Sequence, residues 1–234
     1  MRMKKNLIVF VFLIFVVSIQ AQQNIQLQFH HKVGDKNLQL FTETYSNAFN
    51  ESFTVNRFKY YISSITIMDD KGKQFIVKHK YFLIDEADSN SKKISINTSL
   101  KNIAAIEFTI GVDSLHNVSG VQTGTLDPMH GMFWTWKSGY VFAKLEGQSD
   151  SSHAQGKYFG YHIGGFRTNE NALRKIRLSI INYQLSIVNI KVDILKWFNA
   201  VYPIKINQTA FCHQPGALAL QLADNYSNMF SIQP

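Results

Sequence analysis

Apolar residues recur at every second position through most of this chain, and that period constrains its fold more than any other feature. Side chains at i, i+2 and i+4 share a face only on extended backbone, whereas a helix needs a repeat of about 3.6. In "IQLQFHH" Ile25, Leu27, Phe29 and His31 stand on one face against Gln26, Gln28 and His30 on the other, the pattern of a half-buried strand. "AAIEFTIGV" alternates Ala104, Ile106, Phe108 and Ile110, and "GYVFAKLEG", "KYFGYHIGG" and "KIRLSIINYQLSIVNIKVDIL" repeat the habit. "FTVNRFKYYISSITIMDDKGKQFIVKHKYFLID" predicts two or three strands, with a hairpin turn at "DDKGK" where Gly72 supplies positive φ. Short strands between turn signals predict a mainly β chain, an antiparallel β-sandwich or barrel-like domain.

The period changes once, near the end. "PGALALQLADNYSNMF" puts Leu218, Leu222, Tyr226 and Met229 on one helical stripe, with Pro215–Gly216 where a helix starts. One C-terminal helix is therefore expected to pack on or plug the β-structure. Only four prolines occur and no Ser-, Gly- or Pro-rich linker, so residues 22–234 are read as a single domain.

The first residues set the compartment. "MRMKK" is basic, "NLIVFVFLIFVVSI" is apolar throughout, and "QAQQ" follows with Ala21 before a cleavage point, the layout of a secretory signal peptide over residues 1–21. The apolar run is shorter than the roughly 20 residues of a spanning helix, and its polar exit carries no stop-transfer charge. The expectation is a periplasmic or secreted protein with no stable membrane insertion once the signal is removed. Losing Arg2, Lys4 and Lys5 takes the formal charge from +8 to +8 − 3 = +5. The remaining Lys and Arg are scattered, and "NALRKIRL" at 171–178 alternates as a strand does, so nucleic acid is not the expected partner. The single cysteine, Cys212, has no partner for an internal disulfide. Beside His213 it is most often a small buried hydrophobe and less often a soft ligand.

No G-x-S-x-G elbow, P-loop, G-x-G-x-x-G, H-E-x-x-H or Cys-x-x-Cys pair is present. "VDSLH" at 112–116 holds Asp, Ser and His, but triad members meet in space and rarely along one turn. The chain is not read as an enzyme. What stands out is "MHGMFWTWKSGY" at 129–140, which gathers His130, Met129, Met132, Trp134 and Trp136. If extended, Met132, Trp134 and Trp136 share one side. That wall is core packing, a platform for glycan or protein partners, or the surroundings of a soft-metal site. Thioether and imidazole together suit Cu(I) better than hard cations. His79 and His153 lie in polar surroundings, whereas His31 and His162 join apolar or glycine-lined faces. An inward histidine is more often a hydrogen-bonded core residue than a ligand.

"GMFWTWKSGYVFAKLEG" at 131–147, "IEFTIGVDSLHNVSG" at 106–120, "RFKYYISSI" at 57–65, "LIDEAD" at 83–88, "YHIGG" at 161–165 and "PGALALQLADNYSNMF" together resemble the MbnP-like family. These are exported copper-binding proteins named after a methanobactin-associated periplasmic member. The resemblance implies a mostly β-fold that binds copper through histidine, in some members beside a tryptophan oxidised to kynurenine by a dihaem peroxidase-type partner. Carried over, the tryptophan is Trp134 or Trp136, and His162 matches the histidine before Ile-Gly. His31 in "FHHKVG" matches the opening F-x-H-x-V-G less closely, and His116 falls near an Asn-His pair of the family with the order reversed. The chain departs in holding Cys212 alone where copper-loaded relatives carry a cysteine pair. The implied function is a copper carrier or scavenger. Its expected ligands are His31 and His162, assisted by Trp134 or Trp136 and by His130 with Met129 or Met132.

Overall fold

The computed structural model describes residues 22–78, 80–135, 137–181 and 186–233. The expected signal peptide at 1–21, His79 and Trp136 lie outside the described residues. In chain order the principal strands are β1 (Gln23–Val33), β2 (Ser52–Asp69), β3 (Gln74–Ile76), β4 (Tyr81–Asp85), β5 (Lys93–Thr98) and β6 (Ile103–Ile110). The one-turn helix α1 (Ser114–Val118) follows, then β7 (Phe133–Thr135), β8 (Gly139–Gln148), β9 (Tyr158–Gly164), β10 (Arg174–Ser179), β11 (Ile187–Asp193), α2 (Ala217–Tyr226) and β12 (Phe230–Ile232).

These strands form two sheets. A five-stranded sheet has the order β12-β11-β1, and the other edge of β1 is shared by β5 and the short strand Lys36–Asn37. A ten-stranded sheet runs β10-β6-β2-β8-β9 and ends on the short strand Phe211–Cys212. Its curl originates in β2. The first half of β2 pairs with β8 and the second half with β6, and the register shifts between Ser63 and Thr66, where Ser64 has φ 51. A bulge of this kind bends a long strand and raises its twist. At the predicted hairpin, Asp69 N donates to Lys73 O and Gly72 has φ 79.

The alternation read from the sequence decides what each sheet turns inward. Ile25, Leu27, Phe29 and His31 of β1 are buried, and Phe29 and His31 meet Phe58 and Tyr60 of β2. The Phe29 and Tyr60 rings stand edge-on at 6.3 Å, and the His31 and Phe58 rings at 4.8 Å. Each such fully buried aromatic contributes about 1.5–3 kcal/mol relative to exposure. Helix α2 closes the sandwich. Leu222 and Tyr226 are buried, Met229 is buried in the turn that follows, and Leu218 is half-buried. Tyr226 OH donates to Ala172 O.

The chain thus forms the expected mainly β sandwich with a C-terminal helix. Two details differ from the all-antiparallel expectation. β1 pairs β11 in parallel, and Phe211–Cys212 adds in parallel to β9. Periodicity reports which face a residue takes but not the direction of a neighbour drawn from far along the chain. Helix α1 is capped by Asp113, whose Oδ1 accepts from His116 N at 3.0 Å. Ser114 donates to Phe166 O, so "VDSLH" makes a helix start and not a catalytic triad.

Candidate metal centre

Because Phe58, Leu145, Tyr161 and Ile163 point into the core, their alternates on β2, β8 and β9 point to the outer face of the larger sheet. Register lines these alternates up in rows, with Lys144 between Lys59 and His162, and Glu146 between Arg57 and Gly160. Beyond β9, the strand Phe211–Cys212 aligns Phe211 with Gly160 and Cys212 with Tyr161. One step further along, His213 comes alongside His162, and the two imidazoles stack with centroids 4.3 Å apart at 27°.

A carboxylate orders this pair. His162 Nε2 lies 2.6 Å from Glu146 Oε1, and Arg57 donates to Glu146 Oε2 at 2.8 Å. Burial opposes ionisation of Glu146, but the His162 and Arg57 hydrogen bonds and the Lys144 charge outweigh it and hold the carboxyl at about 2. An ionised Glu146 can only accept, so the neutral form of His162 carries its hydrogen on Nε2 and leaves the Nδ1 lone pair for another partner. Burial, reinforced by the charges of His162 and Lys144, pushes His213 below its ordinary value, against the pull of Glu146. His213 is therefore biased to the neutral form that binds metals.

Trp134 borders the same face. An ideal Cβ on Gly164, two residues along from His162, would lie 2.9 Å from Trp134 Cζ3, so the indole rests directly on this glycine. Trp134 Nε1 is buried and has no hydrogen-bond partner. Lys144 Nζ donates to Gly131 O at 2.6 Å, which ties the segment carrying Trp134 down over the sheet. Gly160 does the same for the other flank, where a Cβ would lie 2.9 Å from His213 Nε2. Among the described residues no three His, Cys, Asp or Glu side chains are arranged around one ion. This face offers two neighbouring imidazoles beside an indole, and with one ring turned out of the stack they present two nitrogens to a soft ion, too few for a tetrahedral site.

The other sequence candidates engage partners of their own. His31 lies on the opposite side of the larger sheet, inside the sandwich. Its Nδ1 is 2.6 Å from Glu86 Oε2 and its Nε2 is 3.0 Å from the Tyr60 hydroxyl. His31 and His162 therefore do not meet around one ion, and both His31 nitrogens are taken. Met132 is fully buried while Met129 is 92% exposed, so the two thioethers diverge. His130 is exposed, with Nε2 at 3.0 Å from Gly124 O. His116 joins Tyr81 and Asp113. The sequence singles out His213 only as the neighbour of Cys212, because the strand that it follows is two residues long, too short for a period to show.

Residues 22–214 match the MbnP family. Among solved structures, MbnP from Methylosinus trichosporium has the same fold, with a TM-score of 0.57 and 13% identity over 79% of this chain and 80% of that one. No curated protein matches the chain.

Proposed function

The chain belongs to the MbnP family, and from that premise we propose that it is an exported copper-binding protein that holds Cu(I) at His162 and His213 beside Trp134. It acts as a carrier or scavenger with no turnover of its own. The observation that carries this reading is the stacked His162–His213 pair, with Glu146 orienting one ring. A carboxylate behind a ligating imidazole fixes its tautomer and raises its basicity. Imidazole binds through an in-plane lone pair, so the exposed His213 ring turns out of the stack to share an ion with His162 Nδ1.

Trp134 is the described tryptophan packed on Gly164, two residues from His162, and we assign to it the oxidation to kynurenine by a dihaem peroxidase-type partner that the family resemblance implies. The glycan or protein platform is less well supported. Trp134 is half-buried, and its indole nitrogen is sealed from solvent, so it does not present an open flat ring.

The test is metal analysis and intact mass of the mature protein from its native host, alongside His162→Ala, His213→Ala and His31→Ala. The expected result is about one Cu(I) per chain, retained against a Cu(II) chelator, lost in the first two variants and kept in the third. A peptide containing Trp134 should have lost one carbon and gained one oxygen. Wild-type protein without Cu(I), or Cu(I) retained by both His162→Ala and His213→Ala, overturns the reading.

A further inference from the structure

A second group of ligand-type side chains stands apart from the His162–His213 face. Tyr81 on β4, and Asp113 and His116 at the start of α1, converge where two openings of about 400 and 410 Å³ adjoin. The Tyr81 hydroxyl donates to Asp113 Oδ2 and lies 2.8 Å from His116 Nδ1. His116 Nδ1 lies 3.0 Å from Asp113 Oδ2 and 3.1 Å from Oδ1. Backbone holds all three in place. Tyr81 is registered against Ser63 of β2, and the Asp113 cap places the His116 ring one turn further on.

Two donors each about 2.05 Å from a metal and at right angles to it are about 2.9 Å apart. His116 Nδ1 stands at such separations from the Tyr81 hydroxyl and from Asp113 Oδ2, while the hydroxyl and the carboxylate are joined by the hydrogen that an ion would displace. The adjoining cavity leaves the opposite positions to water, as in facial three-ligand sites. The donors are also harder than the imidazole pair on the other face, which points to a higher-valent ion than Cu(I).

We propose that Tyr81, Asp113 and His116 form a second metal site for a divalent transition-metal cation such as Cu(II), independent of the His162–His213 site. Binding replaces the Tyr81 hydroxyl hydrogen: M²⁺ and Tyr–OH give Tyr–O–M⁺, and the proton goes to solvent. Without an ion the phenol keeps its hydrogen, since burial and the adjacent Asp113 carboxylate push its ionisation well above the ordinary value. Lys78 and Lys80 line the same openings and favour hydroxide or a small anion at the solvent-side positions.

The test titrates Cu²⁺ into the full mature chain carrying His162→Ala and His213→Ala, followed by absorption, electron paramagnetic resonance and proton release. Expected are about one Cu(II) per chain, a phenolate-to-copper charge-transfer band and one proton released per ion. Adding Tyr81→Phe, which removes only the hydroxyl, should abolish the band and weaken binding at least about tenfold. Asp113→Asn keeps the helix cap and should weaken binding similarly. A folded background protein that binds no Cu²⁺, or a Tyr81→Phe protein with unchanged affinity and spectrum, overturns the proposal.

Discussion

A buried imidazole is defined by what its two nitrogens find, and His31 and His162 find different things. His31 gives Nδ1 to Glu86 and Nε2 to Tyr60, so it serves the core. Burial holds His31 below its ordinary 6.5 despite the hydrogen bond and charge of Glu86. The unfolded chain therefore takes up that proton more readily, and stability falls as pH drops below about 6.5. Burial raises Glu86, but its His31 and Lys92 hydrogen bonds hold it below 4.5. Its contribution is present above 4.5 and is lost as pH falls through the lower folded value. Thermal midpoints should decline steadily from neutral to acid pH, with a shallower slope just below 6.5 in His31→Gln. His31→Ala, which strips Tyr60 and Glu86 of a buried partner, should cost about 1–3 kcal/mol. At the metal face, Glu146→Gln keeps a hydrogen bond but no longer dictates the tautomer. Copper affinity should fall about 10–100-fold in a chelator competition with the fold intact. The inward direction of His31 was legible in "IQLQFHH". Its partners were not, since Glu86 and Tyr60 lie 55 and 29 residues away.

Among the elements, β9 shows how two glycines on one strand serve different ends. A Cβ on Gly164 would meet Tyr140 O at 2.3 Å as well as the Trp134 ring. Backbone cannot step aside, so Gly164→Ala should destabilise by about 1–3 kcal/mol or more in thermal unfolding and shift Trp134 fluorescence. At Gly160 the atoms met are the far ends of Tyr158 and His213, which can move. Gly160→Ala should keep the unfolding midpoint and weaken copper binding by displacing His213. Long strands such as β1 and β8 were legible because their alternation runs over many residues. The two-residue strand Phe211–Cys212 and its parallel pairing were not, because direction and neighbour are properties of the sheet.

The whole molecule depends on its last residues. Asn225 of α2 accepts from Val201 N and Tyr202 N and donates to Trp197 O and Tyr202 O. Tyr226 packs against buried Trp197 at 5.1 Å, and β12 pairs the edge of β11. A chain ending at Gln214 loses all of these and leaves an apolar core and a strand edge uncovered. It should show no cooperative unfolding transition by circular dichroism, whereas Leu222→Ala should unfold cooperatively at a cost of about 2–5 kcal/mol. Period-two alternation, the single helical stripe near the end and the inward face of His31 were determined by the sequence itself, because side-chain direction follows from a few consecutive backbone torsions. Tertiary structure alone decided that His31 is sealed inside while His162 meets His213 across a parallel edge beside Glu146 and Trp134. Those partnerships are set by sheet register and by which strand reaches which edge, and distant segments of the chain settle both together.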